Sequence, residues 1–209
     1  MTALTQASES TASSTESKPK ILFPGAATLL IAVIASRVTE IERAGNGWLL
    51  FAASGTTPGQ LCRAKFLALG APLAAVCVLW GLCVPVWGAL LGVPAPVPTG
   101  RIVAYTASVC VISLVILALQ LLISLASDNQ LLAVGAGMLG VLLSLIGVMA
   151  PTWAQYLTPW TYFSLVAPMT FTGSDPVYLD APFPGALVLA IAGAVAFTVI
   201  TTRLDRKEV

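Results

Sequence analysis

The chain contains no histidine, and only 9% of its 209 residues are charged, ten Lys plus Arg against nine Asp plus Glu for a net +1. The commonest metal ligand and the ordinary proton shuttle are therefore missing. No acidic or basic residue interrupts the long apolar runs, where an intramembrane proton relay would need one. Both facts argue against a proton-coupled carrier and a membrane metalloenzyme. A net charge this small provides no basic field for nucleic acid. Chemistry-bearing motifs are missing too: there is no GxxxxGK[ST] phosphate loop, GxSxG elbow, HExxH or pair of intramembrane carboxylates. The four cysteines, Cys62, Cys77, Cys83 and Cys110, lack the short paired spacing of a zinc site and read as unbridged packing residues. The expectation is a protein with no catalytic residue, no metal and no cofactor.

What fills the chain instead is apolar: 57% of residues are hydrophobic and the mean hydropathy is +0.92, whereas about a quarter of an ordinary soluble domain is charged. Charge-free apolar stretches run over 21–36, 66–93, 102–126, 131–150 and 183–202, against the roughly 20 residues a helix needs to cross a bilayer. The middle three have crossing length and the two at the ends are short. This predicts an all-α integral membrane protein of five transmembrane helices, six in a full-length form. Residues 1–20 have the Ser- and Thr-rich composition of a disordered polar tail, and residues 21–209 form one transmembrane domain.

Loop charges orient the chain. Placing Arg37, Arg43, Arg63, Lys65, Arg203, Arg206 and Lys207 in the cytosol leaves only Lys18, Lys20 and Arg101 outside, as the positive-inside rule requires. Tyr105 then opens its helix at the outer end, and Trp153, Tyr156, Trp160 and Tyr162 cluster in the outer connection 151–182, where interfacial aromatics belong. Prolines at 159, 168, 176 and 182 divide that connection, which predicts one or two short helices at the membrane surface. An alternative sixth span over 160–173 would have only 14 residues and would put the basic tail outside.

The longest cytosolic segment, 38–65, combines charge with an apolar patch. Glu40, Glu42 and Arg43 continue the first helix, Gly45-Asn46-Gly47 breaks it, and 48–53, beginning with Trp48, is apolar but too short to cross. Thr57-Pro58-Gly59-Gln60 has capping-box spacing with proline at the first helical position, so a new helix should start there and carry Arg63 and Lys65 into the second span. The segment reads equally as a partner-docking element and as an interfacial re-entry with snorkelling basic residues.

Within 102–126, Thr106, Cys110, Ser113, Gln120 and Ser124 recur at steps of three and four, with Leu117 in the gap, and form an uncharged polar stripe. Inter-helix hydrogen bonding explains such a stripe. Gln120, Ser113 and Ser124 are nevertheless the candidates for a translocation path, because a buried amide at membrane depth must face protein, water or cargo. Ala133, Gly137, Gly140, Ser144 and Gly147 make a smooth face for close packing, and Gly88/Gly92 and Ala186/Ala190/Ala194 are further small pairs and stripes.

With these features together, the chain resembles the membrane subunit of a type 2 ABC exporter, and more narrowly the permeases of lantibiotic and related peptide-antibiotic export or immunity. The resemblance rests on three stretches: residues 40–50 from Glu40 through Gly47-Trp48, the basic entry Cys62-Arg63-Ala64-Lys65-Phe66, and residues 121–130 with Tyr156-Leu157-Thr158-Pro159-Trp160-Thr161-Tyr162. It implies a plasma-membrane permease whose 38–65 segment docks a cytosolic ATPase through Glu40, Glu42, Trp48 and Lys65. It also implies pairing with a second permease, alike or different, and a cytosolic C-terminus. Family members have six spans, so the polar tail stands where a first helix should be, as a truncated start would produce. The rival expectation is a non-transporting membrane scaffold or assembly factor, or an inactive truncated permease.

Overall fold

The computed structural model describes residues 30–31, 33–35, 37, 55–90, 99–126, 130–147, 149–166, 169–172, 175–178 and 183–207. The polar tail and most of the 38–65 segment, including Glu40, Glu42 and Trp48, lie outside the described residues. The architecture is helical. Three long helices, α1 (Pro58–Leu90), α2 (Thr99–Ala126) and α6 (Phe183–Lys207), pack around one another, with the shorter α3 (Gln130–Gly147) against α2. Two one-turn helices, α4 (Thr152–Gln155) and α5 (Tyr162–Leu165), and a small hairpin of β1 (Met169–Thr172) and β2 (Asp175–Tyr178) connect α3 to α6.

The start of α1 follows from its sequence. Gly55 adopts φ 73° in the turn before it, a left-handed conformation that glycine enters without steric cost. Thr57 and Gln60 then close the capping box from both sides: the Gln60 N–H donates to Thr57 Oγ1 at 3.3 Å, and the Thr57 N–H donates to Gln60 Oε1 at 3.3 Å. Pro58 begins the helix, where its missing N–H costs nothing. With 33 residues, α1 is about 50 Å long at 1.5 Å per residue, some 20 Å more than a hydrocarbon core of about 30 Å. A single upright crossing therefore does not use the whole of α1.

α2 is the central helix. Val109, Ile112, Ile116, Leu117 and Leu121 are buried along it and join Cys62 of α1, Phe197 of α6, and Tyr162, Phe163 and Val166 at α5 in one apolar core. Residues described between 30 and 37 are helical, and Ile31 and Ala35, one turn apart, enter the same core while Leu30, Val33 and Ile34 face out. Glycines set the closest approaches: a Cβ on Gly81 of α1 would overlap Thr106 of α2, and one on Gly70 would press on Leu114.

The structure bears on four of these readings. Three helices among the described residues are long and apolar enough to cross a membrane, but the third is 184–206 rather than 131–150. The stretch at 131–150 gives only a 17-residue apolar helix, Leu131–Gly147, because the chain turns at Met149 and Ala150 before Pro151. The final helix runs past its apolar stretch through 203–207, and within that stretch Thr198, Thr201 and Thr202 donate their hydroxyls to carbonyls one turn back, Ala194, Phe197 and Thr198. The alternative span at 160–173 is replaced by α5 and strand β1. The outer aromatics also divide: Trp153 stays exposed, whereas Tyr162 is 7% exposed and belongs to the core. Two short helices do form in the connection, as its prolines predict, but α5 tucks against α2 and α3 instead of lying on the surface.

Candidate functional site: a polar lock at the base of the bundle

The start of α1 and the end of α6 meet in an ion pair. Arg63 Nη2 donates to Asp205 Oδ2 at 2.8 Å, and Nη1 donates to Thr201 Oγ1 at 3.3 Å. The Thr57 hydroxyl that caps α1 also donates to Asp205 Oδ1 at 2.5 Å. Both carboxylate oxygens are thus used, one by the cap and one by the guanidinium. Gly59 makes the approach feasible, because a Cβ there would overlap the Thr201 carbonyl and the Asp205 side chain. One turn higher, Phe66 and Phe197 continue the seam with ring centroids 4.9 Å apart. Lys65 sits half-buried between these two layers in sequence, and it is the only proposed ATPase-coupling residue that lies among the described ones.

α1 and α6 must run antiparallel for this contact, so Thr57 and Asp205 share one end of the bundle. Two further seams hold the other elements to α2. Against α1, the Cys77 thiol meets Cys110 and Ser113. Against α3, the fully buried Gln120 amide, oriented by the groups it meets, donates through Nε2 to the Ala133 carbonyl and accepts at Oε1 from the Gly137 N–H, both at 3.2 Å. Those two groups are one rung of the α3 ladder, so Gln120 clamps α2 to a single turn of its neighbour.

The small face of α3 is buried residue for residue at Ala133, Gly137, Gly140, Ser144 and Gly147. Its first half receives Gln120. Its second half receives the connection: the Trp160 indole lies on Gly140, the Ser144 hydroxyl donates to the Trp160 carbonyl at 3.2 Å, and Thr161 and Ser164 lie on Gly147. Gln155 finishes the helix by donating to the Gly147 and Ala150 carbonyls at 2.8 and 2.9 Å; the Gly147 carbonyl is one of those a helix end leaves without an intrahelical donor. By contrast, a Cβ on Gly88 would meet nothing within 4 Å.

The candidate path residues Gln120, Ser113 and Ser124 are all buried between helices. Two open apolar grooves flank α2: one of about 570 Å³ beside α1, lined by Gly81, Pro85, Thr106 and Cys110, and one of about 300 Å³ beside α6, lined by Val115, Gly193 and Phe197. None of the three path residues lines either groove. Sequence reasoning missed Asp205 and Thr201, because the acid sits in a basic tail, 142 positions from its partner Arg63. A weak signal was present, since Thr201 and Asp205 are one turn apart and share a helix face. Comparison with protein-family models, with curated proteins and with solved structures finds no match to this chain.

Proposed function

We propose that this chain is the membrane permease subunit of an ATP-driven exporter of the type 2 ABC class, moving an amphipathic peptide or a lipophilic drug out through the plasma membrane. The observation that carries the reading is the lock of Thr57, Arg63 and Asp205. Segment 38–65 contains the capping box that starts α1, and the same threonine hydroxyl holds the last helix. A pull or push applied to the segment therefore reaches α1 and α6 together, and through them the α2 hub. That is the mechanical coupling a permease needs when its apolar runs contain no acidic or basic residue and the chain has no nucleotide loop.

In this reading the shared end of Thr57 and Asp205 is cytosolic, Glu40, Glu42, Trp48 and Lys65 dock a separate ATPase, and a second permease completes the transporter. Cargo of mixed polarity would use the apolar grooves beside α2, with Gln120 serving to hold α3 in place. Counts of five or six spans belong to the same proposal.

The test is a mild-detergent pull-down of the tagged full chain, with mass spectrometry of its companions and an ATPase assay on the eluate. A stoichiometric nucleotide-binding subunit with vanadate-sensitive turnover is expected, and Trp48→Ala combined with Glu42→Ala should abolish the association while the chain still inserts. A clean membrane protein at native expression, with no such subunit, would favour the scaffold reading.

A further inference from the structure

The outward side of α6 carries a pattern that the lock does not use. Val188, Val195, Val199, Arg203 and Arg206 recur at steps of seven, four, four and three and therefore lie along one face. All five are exposed. Over the apolar part of this face runs a shallow groove, with Ala192 and Ala196 as its floor and Val188, Ile191, Val195 and Val199 as its sides. The groove leads to the two guanidinium groups at the end of the helix. Asp205, the nearest carboxylate among the described residues, is turned to the opposite side and consumed by Thr57 and Arg63. Among the described residues none pairs with Arg203 or Arg206, so the end of the groove carries two cations and no described acid.

We infer that this face seats a phospholipid with an anionic headgroup, its phosphate between Arg203 and Arg206 and an acyl chain along Val199, Ala196, Val195 and Ala192. The dimensions agree. From Val195 to Arg206 is eleven residues, about 16 Å of helix, which is close to half of a hydrocarbon core of about 30 Å. Hydrocarbon therefore reaches the groove at the depth where a lipid in the same leaflet places its chain. Charge complementarity selects lipid over a second copy of this chain. Two copies seated on this face about an axis along the membrane normal would bring four guanidinium groups together with no counter-charge from the described residues. The inference does not depend on ATP-driven transport, and a scaffold would hold the same lipid.

The experiment uses the full chain in mild detergent with added dioleoyl phosphatidylglycerol or phosphatidylcholine, read by native mass spectrometry of retained lipid and by thermal stability. Each cation near an anionic surface contributes about fivefold in affinity, so the pair should favour the anionic lipid by about twenty-five-fold. Arg203→Gln with Arg206→Gln should reduce that preference to below about threefold while leaving phosphatidylcholine retention unchanged, and Arg203→Lys with Arg206→Lys should keep most of it. Ala192→Trp with Ala196→Trp, which fills the groove without altering charge, should lower retention of the anionic lipid and decides the matter should the glutamine variant fail to fold. Equal retention of both lipids by the wild-type chain would overturn the inference. So would full protection by inorganic phosphate at matched ionic strength, or a change in protomer number on replacing the two arginines.

Discussion

Replacing Asp205 by Asn, Arg63 by Gln, or both, tests whether the base of the bundle is held as described. The wild-type pair has an N to O distance of 2.8 Å with side chains 35% and 22% exposed, between a free surface pair, worth up to about 1 kcal/mol, and a buried one. The carboxylate also accepts from the Thr57 hydroxyl at 2.5 Å. Each single change should therefore cost about 1–2 kcal/mol, because it strips a charged group of its partner, and the double change should cost less than the two singles together by about 1 kcal/mol. For a chain of this length, about 1 kcal/mol corresponds to about 2–4 °C in apparent melting temperature.

A second readout locates the effect. Cys62, adjacent to Arg63, is 1% exposed and lies in the core. In a background where Cys77, Cys83 and Cys110 are alanine, maleimide should label Cys62 faster once Asp205 is changed, because α1 and α6 separate first at that level. Additive single effects, within about 0.3 kcal/mol, together with unchanged Cys62 labelling, would refute the lock.

Three further outcomes follow from the packing. Gly59→Ala should cost more than about 2 kcal/mol, because its methyl meets backbone that cannot swing aside, whereas Gly88→Ala, with nothing within 4 Å, should leave thermal stability unchanged or slightly higher. Gln120→Leu should lower stability by about 1 kcal/mol, the usual worth of inter-helix hydrogen bonds in membranes, and should speed hydrogen exchange at Gly137; an unchanged exchange rate would remove the clamp. Gly140→Ala should displace the Trp160 indole at a cost of about 1–3 kcal/mol, visible in tryptophan emission as a shift that Trp160→Phe abolishes.

Features set by short sequence intervals were legible. The capping box needs only four residues in order, and Thr57 and Gln60 form it as their spacing requires. The small face of α3 needs only helical periodicity, and each of its five members is buried. Periodicity says which side is covered, however, and not by what. That face receives a glutamine from α2 over one half and an aromatic connection over the other, whereas small faces in apolar chains ordinarily suggest a second helix. Tyr162 and Trp160 misled for a related reason: beside prolines and a membrane end they have the composition of an interfacial belt, yet Gly140 and Gly185 leave room for Trp160 and for the Tyr156–Tyr162 pair, whose rings meet edge to face at 5.6 Å. The hairpin gave little signal, since four residues per strand and a proline in β2 fall below what alternation can declare.

The lock was illegible for a stronger reason. Counting positive charges treats Arg63 and the C-terminal basic residues as equivalent markers of one membrane side, and in such a count Asp205 does not figure. The fold separates these charges by direction. Asp205 and Thr201 face α1 and spend Arg63 on structure, while Arg203 and Arg206, two residues before Asp205 and one after it, face outward. One helix turn therefore joins two helices on one side and presents on the other two cations with which no described residue pairs. The two roles separate experimentally: neutralising Asp205 should loosen the α1–α6 seam without lowering anionic-lipid retention, and neutralising Arg203 and Arg206 should do the reverse. A single substitution that produced both effects would mean that the last turn of α6 unwinds as a unit, and that the inward and outward charges are not independent.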